Sequence, residues 1–211
     1  RIDFKDNTKG ALLLEPQRAN NLVQSNQFDT TWTIGASALD LTSGQSGVYG
    51  SNDAWLLKKN STGARYIQQS LSLSSAQYSY SVYLKAESTE WVWLLSSNGS
   101  SEVTSYFDLQ NGVVGTTGGS NLDSTNIESV GDGWYRCTIT YTQATSYVRI
   151  YPADANESIS PTDDNGIYIQ NAQVEQGSYA TSYIPTSGQA VTRIADSTSQ
   201  TVPDGVIGQT E

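Results

Sequence analysis

The chain has 211 residues, and its 11 Lys and Arg against 21 Asp and Glu give a formal net charge of −10. This charge repels phosphate backbones and anionic membranes, so nucleic acid is not an expected partner, and no apolar run is long enough to predict membrane insertion. Because the sequence contains no His and a single Cys, Ser/His/Asp triads, Cys/His pairs and the common zinc sites are excluded within it.

Short runs rich in Val, Ile, Tyr, Trp and Thr recur along the chain, separated by clusters of Ser, Gly, Asn and Asp. This pattern is typical of antiparallel strands joined by turns. In chain order it predicts strands at 11–15, 32–41, 54–59, 64–73, 77–86, 91–97, 103–109, 112–117, 125–130, 134–142, 146–152, 166–175 and 190–197. So many short strands predict an all-β fold, a two-sheet antiparallel β-sandwich of the jelly-roll type.

The predicted strands fall within residues 11–200, which we interpret as a single β-sandwich binding module. Residues 1–10 are predicted to be an N-terminal arm or linker, and residues 201–211 a C-terminal linker, to neighbouring domains of a longer chain. Cys137 lies inside a predicted strand, where a buried and unreactive thiol is the favoured interpretation.

One predicted strand has two apolar faces, since the sequence EWVWLLSS at 90–97 alternates indoles with aliphatic side chains. Val92 and Leu94 match the aliphatic inward positions of neighbouring strands and are predicted to join the core. The same alternation assigns an outward direction to Tyr83, Lys85, Trp91, Trp93, Arg136, Arg149 and Tyr151.

If these strands lie side by side, one sheet face carries aromatic rings interleaved with long cationic side chains. Indole and phenol rings stack on the C–H faces of sugars, and cationic side chains donate hydrogen bonds to hydroxyl groups. The sequence therefore predicts a glycan-binding face. Two alternatives stay open, namely a face covered by a loop, a neighbouring domain or another copy, and rings that belong to the core.

Catalysis is not expected. Hydrolysis of a glycosidic bond needs two carboxylates about 5 to 10 Å apart, and the E-x-D-x-x-E spacing found in many sandwich glycosidases is absent. A lyase on this type of fold uses Tyr with His or Arg, and His is missing. A polysaccharide lyase or hydrolase is therefore the weaker alternative.

Several stretches together carry a resemblance to a known family: ALLLEPQRANNLVQSNQFDTTW at 11–32, YSYSVYLKA at 78–86, YFDLQNGVVG at 106–115, GDGWYRCTITY at 131–141 and AQVEQGSYATSYIPTSGQAVTRIAD at 172–196. They resemble a bacterial and phage module of large secreted or virion-associated proteins. The module is similar in pattern to jelly-roll carbohydrate-binding modules of the cellulose- and xylan-binding kind, whose N-L-x-x-N-x-F segment is matched at 21–28.

The resemblance implies a noncatalytic module, secreted or extracellular on a bacterial surface or virion, that tethers a larger protein to a polysaccharide through an aromatic sheet face. It also implies a structural calcium ion near the N-terminal segment, for which Glu15 and Asn26 are the candidate ligands, although Gln170 and Asn171 stand where such modules commonly have an Asp pair. The high negative charge favours a neutral or sparsely charged glycan of algal or plant type. The alternative is a structural or receptor-binding module of a phage tail or cell-surface protein, with its aromatic face packed against another domain.

Overall fold

The computed structural model describes residues 2–3, 11–12, 14–35, 39–61, 63–159 and 166–197. In this part of the chain, a 3₁₀ turn spans Val48–Gly50 and no helix is long and apolar enough to cross a membrane. The strands, in chain order, are β1 Ile2–Asp3, β2 Ala11–Leu12, β3 Arg18–Asn20, β4 Thr33–Gly35, β5 Leu39–Gln45, β6 Ala54–Lys59, β7 Tyr66–Ala86, β8 Trp91–Ser97, β9 Glu102–Asp108, β10 Val113–Gly118, β11 Leu122–Gly131, β12 Trp134–Ala153, β13 Gly166–Gln176 and β14 Val191–Arg193.

Ten of these strands form a continuous antiparallel sheet, with the long strands β7 and β12 side by side in its middle. The register of this pair shifts twice, between Gln143 and Tyr147 of β12, opposite residues 70–76 of β7. Extra residues of this kind bend a strand and increase its twist. The long strands therefore cross from one layer of the molecule to the other.

The bends divide the sheet into two layers. The first layer contains, in order, β4, the first part of β7, the second part of β12, β8, β9 and β10. The second layer contains, in order, β11, the first part of β12, the second part of β7, β13, β6 and β5. The predicted all-β, two-layer antiparallel sandwich is confirmed, but its layers are halves of one hydrogen-bonded sheet.

A single apolar core lies between the layers. Val92 and Leu94 of the first layer and Val82 and Leu84 of the second are fully buried in the same cluster, as alternation predicted. Burial of each such side chain contributes about 1.5–3 kcal/mol. The thiol of Cys137 is buried in this cluster too, and burial raises its pKa well above the ordinary value, which confirms the buried position predicted for it.

The ends of the described chain fold back onto β13. The Asn20 side chain donates hydrogen bonds to the carbonyls of Ala172 and Ile184, and its oxygen accepts from the amides of Leu22 and Val174. Strand β3, which Asn20 ends, pairs with β14 in a separate small sheet. One buried amide thus joins the N-terminal and C-terminal segments to the second layer.

Most predicted strands match observed ones, and the differences are local. The predicted breaks at 74–76 and 143–145 are bends inside β7 and β12, and β3 was not predicted. The predicted arm at 1–10 lies outside the described residues except for Ile2–Asp3, which pairs with Ala11–Leu12. The linker predicted at 201–211 also lies outside them.

Candidate functional site

The seven predicted site residues lie on two opposite outer faces. Trp93 of β8 is paired with Tyr151 of β12 in the first layer, whereas Arg136 of β12 is paired with Tyr83 of β7 in the second. The structure brings together Trp91, Trp93, Arg149 and Tyr151 on one face, and Tyr83, Lys85 and Arg136 on the other. The predicted single face is therefore wrong in its grouping, because alternation gives inward and outward directions but not the layer to which each part of a bent strand belongs.

The outer face of the first layer carries a continuous row of four rings, one from each of four adjacent strands. The ring centroids of Tyr66 and Tyr151 lie 4.9 Å apart, those of Tyr151 and Trp93 4.6 Å apart, and those of Trp93 and Tyr106 5.6 Å apart. Such tilted and offset contacts are the favoured geometries of aromatic pairs. We call the outward surface formed by this row with Trp91, Tyr147, Arg149 and Gln68 the aromatic face.

Arg149 is held at one end of the row by four neighbours. Its Nε donates to Oε1 of Gln68 at 2.8 Å, and its Nη1 donates to the Tyr151 hydroxyl at 3.1 Å. The guanidinium carbon lies 4.1 Å from the ring centroid of Tyr66 and 4.4 Å from that of Tyr147. Cation–π contact and hydrogen bonding therefore fix a planar group of donors within a surface of rings.

The rings differ in exposure. Tyr151 is 4% exposed and Tyr106 9%, so these two form the floor of the aromatic face. Trp91, Trp93, Tyr66 and Tyr147 are half-buried and present part of their surface to solvent. Among the described residues the buried Nε1 of Trp93 has no hydrogen-bond partner. The accessible part of the face thus consists mainly of ring surfaces.

The floor tyrosines are uncharged at neutral pH. Burial raises the pKa of Tyr151 to about 12, against the lowering effect of the adjacent Arg149. Burial also raises the pKa of Tyr106, and the carboxylates of Glu157 and Asp154 add to that increase. Both phenols are therefore neutral hydrogen-bonding groups, and they add to the contact surface of the aromatic face.

The Trp91 end of the face is bordered by the turn that follows β12. The Asn156 side chain accepts a hydrogen bond from the amide of Thr116 at 2.8 Å and donates to its hydroxyl at 2.9 Å. A Cβ at Gly115 would lie 2.5 Å from Oδ1 of Asn156 and 2.7 Å from the Trp91 ring. Glycine at this position therefore lets the turn and the indole approach the edge strand closely.

Sequence reasoning missed four members of the aromatic face as site residues: Tyr66, Gln68, Tyr106 and Tyr147. Tyr147 shares the alternation of Arg149 and Tyr151 in its predicted strand, and the register that pairs Tyr106 with Trp93 places the Tyr106 ring beside the indole. Tyr66 is adjacent because Ile67 pairs with Ile150, which places Tyr66 beside Tyr151. Strand order and register, rather than any local motif, assemble the row.

The outer face of the second layer is covered over much of its area. Tyr83 is 5% exposed and Trp134 2%, and both belong to a second apolar cluster with half-buried Tyr168 and Tyr183 packed against it. Arg136 donates to the Ser81 hydroxyl at 2.9 Å, and its guanidinium carbon lies 5.4 Å from the ring centroid of Tyr83. Lys85 lies opposite Trp134 on this side and is half-buried. We call this surface the covered face.

The cover is the segment at 178–186, and buried polar groups hold it in place. The fully buried carboxylate of Glu175 accepts from the amide and the hydroxyl of Thr181, both at 2.7 Å. Oε1 of Gln173 accepts from the amide of Ile184 at 2.7 Å. These acceptors point outward from β13. The segment at 178–186 therefore covers this strand and excludes solvent from it.

The two predicted calcium ligands have other partners. The carboxylate of Glu15 accepts from Arg193 and from the amide of Ser182, both at 2.6 Å. Oδ1 of Asn26 accepts from the amide of Asn171 at 3.0 Å, and its Nδ2 donates to the carbonyl of Asp53. Within the described residues no group of three or more acidic, His or Cys side chains is placed to hold a metal. Both predicted ligands are thus engaged with other groups of the chain, and a calcium ion bound through them stays a prediction.

No protein-family profile matches the chain, and no curated protein matches it. Solved structures with related folds are carbohydrate-binding modules. The module TmCBM61 in complex with β-1,4-galactotriose is 12% identical, with a TM-score of 0.46 over 74% of this chain and 99% of that one. The CBM22-1–GH10 modules of Clostridium thermocellum xylanase 10B with xylohexaose are 14% identical, with a TM-score of 0.46 over 81% of this chain and 30% of that one.

A third neighbour is the CBM22-1 xylan-binding domain of Paenibacillus barcinonensis Xyn10C. It is 11% identical, with a TM-score of 0.42 over 77% of this chain and 94% of that one. At these identities and scores the neighbours assign no ligand to this chain.

Proposed function

We propose that the chain is a noncatalytic carbohydrate-binding module that binds a polysaccharide on its aromatic face. The observation that carries the proposal is the row Tyr66, Tyr151, Trp93 and Tyr106 with Arg149 held against its end. An extended row of rings suits a linear ligand, because successive sugar units present C–H faces that stack on aromatic rings. Arg149 and Gln68 supply the directional hydrogen bonds.

The proposed binding energy comes mainly from the half-buried rings. Stacking and burial of two or three of them, each worth on the order of 1 to 3 kcal/mol, supports dissociation constants between about micromolar and millimolar. Trp93 is central, because its ring contacts both Tyr106 and Tyr151 and the residue is half-buried. Tyr151 supports this geometry from below and contributes little surface of its own.

The proposed ligand is a neutral or sparsely charged polysaccharide of the algal or plant kind. A net charge of −10 disfavours a strongly anionic chain. Arg149 already donates to Gln68 and Tyr151, but its remaining donors suit sugar hydroxyls or one occasional acidic group.

The proposed biological role is to tether a larger secreted or surface-associated protein to that polysaccharide. This part of the proposal is supported by the resemblance of the sequence to modules of large secreted or virion-associated proteins. The partners it implies are the polysaccharide and the neighbouring domains of a longer chain.

Affinity electrophoresis tests the proposal. The protein is run through gels containing a neutral polymer, such as xylan, galactan or hydroxyethyl cellulose, or an acidic one, such as alginate. We expect retardation in at least one neutral gel, loss of that retardation in Trp93→Ala, and weakening by about tenfold in Arg149→Lys, which keeps the charge but not the planar fork. Tyr49→Ala is the matched control, because it removes a ring that is 75% exposed and lies on the turn Val48–Gly50.

Retardation by no polymer, or equal retardation of the wild type and a folded Trp93→Ala variant, would contradict the proposal. The first result would favour the alternative structural or receptor-binding module, whose aromatic face packs against another domain. Incubation with the retarding polymer should yield no new reducing ends and no unsaturated products. Their appearance would favour the lyase or hydrolase alternative.

A further inference from the structure

A polar cavity of about 230 Å³ opens on the covered face, beside the first residues of the covering segment. Its floor is formed by two paired strands, in which Ser124 lies opposite Thr140, Asn126 opposite Thr138 and Glu128 opposite Arg136. Residues 178–180 form its wall. The cavity therefore lies on the side of the sandwich opposite to the aromatic face and shares no residue with it.

The chemistry of the cavity matches one sugar ring. Hydroxyl, amide, carboxylate and guanidinium groups alternate across the floor, so donors and acceptors lie within the span of a few ångströms. Tyr179 adds a ring that is 52% exposed, and the guanidinium carbon of Arg18 lies 5.7 Å from its centroid. An aromatic wall beside a polar floor is suited to a ligand with one apolar face and several hydroxyls.

We propose that this cavity is a second carbohydrate site that takes a single neutral sugar ring, such as a chain end or side branch. Its volume is below the roughly 300–1,000 Å³ of pockets that bind drug-sized ligands, so it encloses one ring and further sugar units would lie outside it. The side chain of Glu128 stands across from Arg136 and disfavours an anion. One carboxylate is also too few oxygen ligands for a cation site.

The orientation of the Arg136 side chain is fixed by contacts within the protein. Its Nε and Nη2 both donate to the hydroxyl of Ser81, which is buried, and its guanidinium lies against the ring of Tyr83. Two of its five N–H groups are thus committed and the orientation of the others is fixed. A preset donor lowers the entropic cost of binding.

This site goes beyond the proposed function and does not depend on it. A single ring without an extended stacking row should bind weakly, with a dissociation constant of about a millimolar. If both sites are occupied, the module is bivalent and can join two polysaccharide chains, or one chain and a branch, on opposite faces.

An amide-resolved NMR titration of the isotope-labelled chain tests the inference. The probes are the methyl β-glycosides of galactose, xylose and glucose, with galacturonate as the charged comparison. We expect at least one neutral glycoside to cause saturable shifts at Asn126, Glu128 and the Arg136 side chain. Asn126→Tyr, an exposed change on the cavity side of β11, should abolish these shifts, whereas Ser129→Tyr, an exposed position of the same strand with the opposite alternation, should keep them.

Trp93→Ala separates this inference from the proposed function, because it should remove polysaccharide retardation and leave the cavity shifts unchanged. Saturable shifts at the cavity that disappear in Asn126→Tyr support the second site, whatever happens on the aromatic face. No saturable shift with any neutral glycoside, shifts that survive in Asn126→Tyr, or a response to galacturonate alone would overturn it.

Discussion

The aromatic face and the covered face carry similar side chains, yet they differ in what lies over them. Each has an Arg against a Tyr ring, Arg149 with Tyr66 on the first and Arg136 with Tyr83 on the second. On the aromatic face the indole of Trp93 stays half-buried, whereas on the covered face Trp134 is 2% exposed. The same pattern of alternation therefore gives a solvent-facing surface in one layer and a small second core in the other.

An aromatic ring at an outward strand position is therefore not necessarily accessible to a ligand. Whether it is accessible depends on distant segments such as 178–186, which crosses the second layer and is held by acceptors of β13. Within the described part of the chain, the aromatic face is bordered at one end by the turn around Asn156. Open and covered faces should consequently respond differently to mutation.

The largest contrast is expected between two tryptophans. Trp134→Ala should lower the free energy of unfolding by about 3–5 kcal/mol, as for other buried aromatic truncations. Trp93→Ala should cost less, because the indole is half-buried and its removal opens no enclosed cavity. Urea denaturation measures both, and equal losses would contradict the distinction between the faces.

A smaller effect is expected when the anchor of the covering segment is changed. Glu175→Gln keeps the shape of the side chain but replaces one acceptor oxygen with a donor that faces the donors of Thr181 and Gln173. We expect a loss of about 1–3 kcal/mol in the free energy of unfolding, together with faster proteolysis within 178–186. Glu90→Gln, at an exposed position, is the control and should change stability by less than about 0.5 kcal/mol. Unchanged proteolysis in Glu175→Gln would argue against the anchoring role.

The smallest expected effect is a decrease in the free energy of unfolding at high pH. It involves one buried tyrosine on the aromatic face and one beside the covered face. Burial raises the pKa of Tyr151 on the aromatic face and of Tyr183 beside the covered face to about 12. The folded state therefore holds these protons more tightly than the unfolded state, so their contribution is complete below pH 10 and is lost as pH rises toward about 12.

Urea titrations at increasing pH should show this decline. Tyr151→Phe and Tyr183→Phe should each make the decline shallower, because each removes one of the phenols whose pKa burial raises. A stability that stays constant over the same pH interval in the wild type would contradict the assignment of buried, protonated phenols.

Much of the fold could be predicted from the sequence because the alternation of side chains and the turn residues that mark a β-strand lie within a short stretch of chain. The predicted strands at 54–59 and 91–97 coincide with β6 and β8, and the inward assignment of Val92 and Leu94 is confirmed. β3 was missed because three residues carry too short a pattern and its partner, β14, lies far along the chain. The bends in the long strands were interpreted as turns because small polar residues occupy both kinds of position.

The candidate site could be predicted only in part. Trp93, Arg149 and Tyr151 lie together as expected, but Tyr83 and Arg136 lie on the other side of the sandwich. Strand alternation is a property of neighbouring residues, whereas the choice of outer face depends on where β7 and β12 cross between layers.

The sequence by itself determined that this protein is an all-β sandwich, that aliphatic side chains such as Val92 and Leu94 enter its main core, and that these 211 residues supply no histidine for catalysis. Those features follow from composition and from the two-residue period of a strand, both of which are local. Only the tertiary structure decided which rings form a continuous row, which are covered by the segment at 178–186, and where the polar cavity opens. Those features depend on strand order, register and the return of the chain ends, because the residues that meet in them are far apart in sequence.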